Sequence, residues 1–218
     1  MIEAVIFDMD GVLIDSENLH YNIEVELMKG FGADITLSVT NEFLGMRFEE
    51  YFTILKKRHG LEVSVEEIMQ KHSVMAEKYY REIFPAMPHV QEVLSLLQER
   101  FSLAVVTSSR TDFAKAALGR LGLLPFFKVL VGAEDVTQGK PHPEPYLLAS
   151  QKLGIQPENI VVVEDAINGF RAAKKAGMQV VGLKSTHNSE QDFREADNVI
   201  TTLKEVVAFL EQGELLRS

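Results

Sequence analysis

A series of short apolar runs, alternating with stretches of helical periodicity, constrains the fold of this chain most strongly. The runs are rich in β-branched residues and too short for helices, so they predict buried strands. They lie at residues 4–7, 103–106, 129–131, 160–163, 179–183 and, with a weaker pattern, 198–200. Continuous apolar strands that alternate with amphipathic helices are typical of a parallel sheet covered on both faces. The sequence therefore predicts an α/β, Rossmann-like three-layer core with a parallel sheet.

The alternation of strands and helices is interrupted directly after the first strand. From residue 16 to residue 84, apolar residues recur at helical spacing with almost no strand pattern, and Ser64 with Glu67 forms a capping box. This segment, called the helical insertion below, is tethered at both ends close to the first strand. We expect residues 1–15 and 85–218 to form the α/β core and residues 16–84 to form a separate helical unit.

Charge and composition exclude several classes of protein. The chain carries 32 acidic and 22 basic residues, a net charge of −10, and no basic run, which argues against a general nucleic-acid binder. There is no cysteine, so disulfides, thiolate catalysis and cysteine-based zinc sites are excluded. No apolar run approaches the roughly 20 residues of a membrane span, and no signal-peptide pattern is present. We therefore expect a cytoplasmic monomer without nucleic-acid or membrane partners.

Polar side chains follow several predicted strands at the point where each strand ends. They are Asp8 and Asp10 after the first strand, Thr107 after the second, Glu164 and Asp165 after the strand at 160–163, and Lys140 in a Gly/Pro-bounded loop. In open α/β sheets, ligands bind just past the carboxyl ends of the strands. Four carboxylates at one edge repel one another and require a cation. Without cysteine or a histidine cluster the ligands are oxygens, which favours Mg²⁺.

Each of these features also has a structural explanation when it is taken alone. Ser109 with Asp112 can cap the helix that follows the second strand. Lys140 can be a solvated surface lysine. Glu164 and Asp165 can interact favourably with the positive N-terminal end of the next helix. Their joint occurrence favours chemistry instead. Mg²⁺, a lysine and hydroxyl groups suit a phosphoryl group, and a carboxylate is then the plausible nucleophile.

The same residues resemble the four motifs of the haloacid dehalogenase superfamily. The longer stretches 10–17, 139–144 and 163–169 look like its β-phosphoglucomutase-like branch, and the helical insertion is similar to the mobile cap domain of that branch. The resemblance implies that Asp8 attacks phosphorus, that Asp10 acts as general acid and then base, and that Thr107 and Lys140 contact the phosphoryl group and its charges. It also implies closure of the cap over the substrate.

The resemblance further implies a magnesium site and a substrate site. Mg²⁺ would be held by Asp8, the main-chain carbonyl of Asp10 and Asp165, with Glu164 contributing directly or through water. Substrate would be bound by Met9, Gly11 and Ser108 on the core and by His20, Gly45 and Arg47 on the helical insertion. For Arg47, binding of a second anionic group and a solvated position at a helix start remain alternatives.

The leading hypothesis is a Mg²⁺-dependent phosphatase that hydrolyses a small phosphorylated metabolite, a sugar or polyol phosphate, through an aspartyl phosphate. A dehalogenase needs neither Asp10 nor a metal, so Asp10 and the acidic pair argue against it. A sugar phosphomutase is the enzyme alternative. Mutases of this branch have an arginine three residues after a glycine of the cap. That glycine corresponds to Gly45 here, and this chain has Phe48 at the position of the arginine. A phospho-accepting signalling module is a further alternative. It is remote because such modules carry no insertion, whereas this chain has one at residues 16–84.

Overall fold

The computed structural model describes residues 1–43, 46–80, 85–185, 188 and 191–215. Within these ranges, six parallel strands form one sheet in the order β3-β2-β1-β4-β5-β6. The strands are β1 Ala4–Phe7, β2 Ser102–Val106, β3 Val129–Val131, β4 Ile160–Glu164, β5 Gln179–Leu183 and β6 Asn198–Ile200. The bounds of each strand differ by at most one residue from those of a predicted run. The predicted α/β class with a parallel sheet is confirmed.

The helices fall into two groups along the chain. Four lie in the helical insertion: α1 Glu17–Gly30, α2 Leu37–Asn41, α3 Phe48–His59 and α4 Val65–Tyr80. The others alternate with the strands: α5 Val90–Leu97, α6 Thr111–Arg120, α7 Glu144–Leu153, α8 Ile167–Lys175 and α9 Lys204–Leu215. The helix α2 escaped prediction because five residues are too few to display a periodicity.

Alternate residues of the central strand β1 face opposite sides of the sheet. Val5 and Phe7 pack into the apolar cluster on one face, while Ala4 and Ile6 pack into the cluster on the other. All four side chains are fully buried. Because both faces are covered by helices, the strands read as continuous apolar runs, and the sheet is the middle of three layers.

The strand register brings the ends of three strands to one level. Phe7 in β1 pairs with Val105 in β2 on one side and with Val163 in β4 on the other. Since β1 is flanked by β2 and by β4, the strand order reverses at β1, and this is the position where α/β sheets bind ligands. The residues that follow these three strands therefore share one edge.

The helical insertion has an apolar core of its own. Met28, Phe52, Leu55 and Ile68 are fully buried within it. The capping interaction predicted for Ser64 is present, because its Oγ accepts a hydrogen bond from the main-chain N–H three residues later at 3.1 Å. The insertion therefore packs partly on itself, and its assignment as a separate unit stays a prediction.

Two chain segments connect the helical insertion to the core, and they run side by side. The main-chain N–H of Asp15 donates to the carbonyl of Pro85 at 3.1 Å, and that of Met87 donates to Leu13 at 3.0 Å. The predicted bounds of the two units stay a prediction, because residues 81–84 lie outside the described ranges. None of the helices described is long and apolar enough to cross a membrane.

Candidate active site

Asp8 is the first residue after β1 and stands at the centre of the sheet edge. Lys140 reaches it from the segment between β3 and α7, which we call the lysine loop, residues 132–142. Lys140 Nζ lies 2.5 Å from Asp8 Oδ1 and 3.3 Å from the carbonyl oxygen of Val106. Both side chains are buried, and that of Lys140 is 2% exposed. Lys140 is therefore a charge partner of Asp8, not a surface lysine.

Glu164, the last residue of β4, holds the other side of Lys140. Its Oε1 accepts hydrogen bonds from Lys140 Nζ at 2.5 Å and from the Tyr146 hydroxyl at 3.1 Å. Its Oε2 accepts from the main-chain N–H groups of Asp165 and Ala166, both at 2.9 Å. Two donors on each oxygen correspond to the full acceptor capacity of a carboxylate. This geometry fixes Glu164 firmly and makes it an anchor for the ammonium group.

Three carboxylates gather at this edge. One oxygen each from Asp8, Glu164 and Asp165 lies within 4.8 Å of the others, and all three residues are buried. An all-oxygen set of this kind fits a hard divalent cation such as Mg²⁺. The chemistry of the donors thus agrees with the magnesium site expected from the sequence.

Burial and neighbouring charges shift the pKa values of Asp8 and Lys140 in this cluster. Burial raises the pKa of Asp8 to about 8; Lys140 opposes that rise, and Glu164 and Asp10 add to it. Burial also disfavours the charge on Lys140, but Asp8 and Glu164 outweigh this effect and hold the pKa of Lys140 well above its usual range. Lys140 contacts two of the three carboxylates, and a cation bound by all three would further stabilise the cluster electrostatically.

Asp10 accepts hydrogen bonds from three hydroxyl groups. Its Oδ1 accepts from Ser16 Oγ at 2.6 Å, and its Oδ2 accepts from Ser109 Oγ at 3.1 Å and from Thr107 Oγ1 at 3.5 Å. Gly11, which follows, has φ +76°, a left-handed conformation that favours glycine. Asp10 is partly exposed, whereas Asp8 is buried, so the two carboxyls face different environments.

The contacts of Ser109 decide between the two alternatives that the sequence left for it. The helix α6 begins at Thr111, and the side chain of its N-cap residue, Arg110, makes no capping hydrogen bond; the N–H of Thr111 donates instead to the Glu134 carboxylate at 3.0 Å. Ser109 is thus not the capping residue; its hydroxyl contacts Asp10 instead, and its N–H donates to Thr107 Oγ1 at 3.0 Å. The adjacent hydroxyl residues 107–109 were the signal for this contact.

Two further residues of the site escaped sequence reasoning. Ser16, fully buried, bonds to Asp10, and Tyr146, fully buried in α7, bonds to Glu164. Tyr146 occupies an apolar position in the pattern of an amphipathic helix. That pattern does not indicate a role for its hydroxyl group. Ser16 follows the first motif directly, but nothing in the sequence tells where its hydroxyl points.

The predicted substrate-binding residues lie in different settings. Met9 is fully buried in the core, and Ser108 is partly buried beside Thr107. Arg47 directs its guanidinium group at main-chain carbonyls of the lysine loop. The side chain of His20 and all of Gly45 lie outside the described part of the chain.

Comparison with known proteins identifies the family. Residues 5–183 match the haloacid dehalogenase-like hydrolase family. The chain belongs to this family. The prediction of a haloacid dehalogenase-like enzyme of the phosphomonoester hydrolase class is thereby confirmed, and the four motif positions described above fall within the matched residues.

Relatives and solved structures of this family resemble the chain over nearly its full length. It is 32% identical to the phosphorylated carbohydrates phosphatase of Thermotoga maritima, over 94% of this chain and all of that protein. It is also 32% identical to hexitol phosphatase B of Escherichia coli, over 95% of each chain. The crystal structure of a CbbY variant from Rhodobacter sphaeroides with xylulose-1,5-bisphosphate has a TM-score of 0.83 at 25% identity, over 94% and 96% of the two chains.

Proposed function

We propose that this protein is a Mg²⁺-dependent phosphatase that hydrolyses a phosphorylated carbohydrate, a sugar or polyol phosphate, through an aspartyl phosphate on Asp8. The observation that carries the proposal is the pairing of buried Asp8 with Lys140, beside a carboxylate cluster and two residues before Asp10. The names of the relatives, a phosphorylated carbohydrates phosphatase and a hexitol phosphatase, support the substrate class.

Asp8 and Asp10 divide the chemistry between them. An oxygen of Asp8 attacks phosphorus and the bond to the ester oxygen breaks, while Asp10 gives that oxygen a proton. Asp10 then takes a proton from water as the water oxygen attacks the phosphoryl group, which frees Asp8 and inorganic phosphate. The hydroxyls of Ser16 and Ser109 orient the Asp10 carboxyl for both proton transfers.

Lys140 and the hydroxyl residues support the charges of this reaction. Lys140, held by Glu164, lies against Asp8 and balances the negative charge that the phosphoryl group brings. Thr107 stands at the end of β2 on the same edge, where its hydroxyl can bond to a phosphoryl oxygen. The N–H groups of Met9 and Ser108 are the proposed further donors.

Mg²⁺ would be held by Asp8, Asp165 and the main-chain carbonyl of Asp10. When bound it supplies positive charge that draws the phosphoryl oxygens towards Asp8 and reduces their repulsion. Glu164 already accepts two hydrogen bonds on each oxygen, which weighs against its direct contact with the cation.

The helical insertion, residues 16–84, is the proposed cap that selects the substrate, and residues 1–15 and 85–218 are the proposed catalytic core. Closure of the insertion about its two connecting segments would exclude bulk water from the aspartyl phosphate. We propose a cytoplasmic monomer acting on a small metabolite. Phe48 occupies the place where mutases of this branch carry an arginine, which weighs against the mutase alternative.

Phosphate release from a panel of sugar and hexitol phosphates, with and without Mg²⁺, tests this proposal. We expect release that requires both Mg²⁺ and Asp8, with Asp8→Asn as the inactive control. Conversion of β-glucose 1-phosphate into another sugar phosphate, with little free phosphate, would instead identify a mutase. Release that persists in Asp8→Asn would contradict the mechanism.

A further inference from the structure

Arg47 connects the helical insertion to the lysine loop of the core. It is the residue before α3, and its guanidinium group donates to three main-chain carbonyls of that loop. Nη1 lies 2.8 Å from the carbonyl oxygen of Thr137, and Nη2 lies 2.5 Å from those of Ala133 and Val136. All three contacts cross from the insertion to the core, 86 to 90 residues apart in sequence.

Two N–H groups of the same loop are bound by a side chain of the core. The Glu144 carboxylate, at the start of α7, accepts the N–H of Thr137 at 2.6 Å and that of Gln138 at 2.9 Å. The core thus holds two N–H groups of this loop, while the insertion supplies the donors for three of its carbonyl groups. Without Arg47, these three carbonyl groups lose a charged donor, and the loop keeps only its contacts with the core.

The aliphatic part of Arg47 lies against the residue next to Lys140. A Cβ placed on Gly139 would come within 2.6 Å of Arg47 Cγ, 2.7 Å of its Nε and 2.8 Å of its Cδ, and these are its three nearest atoms. Gly139 therefore leaves the space that the arginine side chain fills. The arginine side chain thus packs against the position before Lys140.

We propose that Arg47 is a positioning residue: with the helical insertion seated on the core, Arg47 fixes the lysine loop and thereby holds Lys140 against Asp8. This inference rests on the proposed function, in which the Lys140–Asp8 pair is part of the reaction. Three of the five N–H groups of the guanidinium point at carbonyl oxygens. These oxygens would repel an anion at the same group, which argues against the binding of a second substrate anion there.

Kinetics with p-nitrophenyl phosphate separate the two roles, because this substrate carries no second anionic group. We expect Arg47→Ala to lower kcat by about tenfold or more through displacement of Lys140, with KM changed by less than about twofold. Arg47→Lys should recover only part of kcat, since an ammonium group cannot span three carbonyls. Arg58→Ala, which removes an arginine paired with Glu42 inside the insertion, is the matched control and should leave both constants unchanged.

A double-mutant cycle with Gly139 tests the contact itself. In the otherwise natural protein, Gly139→Ala should lower kcat as Arg47→Ala does, since the new Cβ displaces the arginine. In the Arg47→Ala background the same change should have little further effect, because the side chain it would meet is gone. Equal effects in both backgrounds would overturn the proposal. So would an unchanged kcat of Arg47→Ala on p-nitrophenyl phosphate with a raised KM only for substrates that carry a second anion.

A distance measurement tests the connection independently of activity. The chain has no cysteine, so spin labels can be attached at Glu66→Cys on the insertion and Ala116→Cys on the core, both at exposed positions. Arg47→Ala should lengthen and broaden the distance distribution between the labels, and an unchanged distribution would overturn the proposal. If the natural chain showed no Asp8-dependent hydrolysis, the proposed function would fail while this measurement still decided the role of Arg47.

Discussion

The hydroxyl of Ser16 donates a 2.6 Å hydrogen bond to Oδ1 of Asp10, and Ser16 is fully buried where the helical insertion begins. The proposed acid–base group is therefore tied to the segment that connects the insertion to the core. Ser16 is shielded from solvent and is the donor to Oδ1, so it contributes to the orientation of Asp10 together with Ser109 and Thr107, which donate to Oδ2.

Ser16→Ala is expected to lower kcat by about three- to tenfold with KM nearly unchanged, because Asp10 loses a donor that orients it for proton transfer. Steady-state kinetics check this. Ser95→Ala is the matched control, since the Ser95 hydroxyl donates only to a carbonyl of its own helix α5, at 2.8 Å. Equal kinetics of the two variants would show that the contact with Asp10 has no role in turnover.

Tyr146→Phe removes one donor from Glu164 while keeping the buried ring. We expect the free energy of unfolding to fall by about 1–2 kcal/mol, the usual effect of leaving a buried acceptor with one partner fewer. Because Glu164 also holds Lys140, kcat should fall several-fold. Denaturant unfolding and kinetics measure the two effects, and unfolding unchanged within error would mean that the hydroxyl contributes nothing to this network.

Gly169→Ala is expected to abolish activity and to destabilise the protein by about 3 kcal/mol or more, a value typical of severe overpacking in a core. The three nearest atoms to a Cβ at Gly169 belong to the Glu164 carboxylate, which has no room to move. Gly119→Ala in α6 is the control: nothing lies within 4 Å of its Cβ, so it should stabilise by about 0.5–1 kcal/mol. A mild effect at Gly169 would show that Glu164 can shift without loss.

Metal-free protein should lose stability as pH rises. The pKa of Asp8 is about 8 in the folded protein against 3.8 as its ordinary value, so folding takes up a proton between these values. The free energy of unfolding then falls from about pH 4 to about pH 8. Asp8→Asn should remove this dependence. At pH 8 it should raise the free energy of unfolding of the metal-free protein by about 1–3 kcal/mol and its melting temperature by a few degrees.

Added Mg²⁺ should reverse the order of these two proteins. It should raise the melting temperature of the natural chain at pH 8 and have a much smaller effect on Asp8→Asn, which lacks one of the proposed ligands. Thermal unfolding with and without Mg²⁺ measures both. An equal shift in the two proteins would place the cation elsewhere.

The sequence predicted the sheet and its reactive edge because strand length and register leave little freedom. Residues that directly follow apolar strands, such as Asp8, Thr107 and Asp165, must lie at the carboxyl edge once the strands are parallel. Lys140 was placed at the same level by its position in the loop before a helix. The strand bounds were correct for the same reason, since each run ends where polar residues begin.

Contacts between segments distant in sequence could not be predicted in this way. The bond from Tyr146 to Glu164 and the three bonds from Arg47 to the lysine loop depend on side-chain directions that no local pattern encodes. The direction of the Ser109 hydroxyl was left open for a related reason. Its sequence context suits a helix N-cap, but α6 starts one residue further along the chain than such a cap requires. The Ser109 hydroxyl donates a hydrogen bond to Asp10 instead.

The aspartyl phosphate itself tests the central claim most directly. Radiolabelled sugar phosphate is mixed with enzyme and Mg²⁺, the reaction is stopped with acid within a turnover, and the labelled peptide is identified by mass spectrometry. The account predicts a hydroxylamine-sensitive phosphoryl group on Asp8 that forms and decays at rates compatible with kcat and is absent in Asp8→Asn. Turnover without any phosphorylated Asp8, or a phosphorylated Asp8 that persists far longer than a catalytic cycle, would contradict the proposed mechanism.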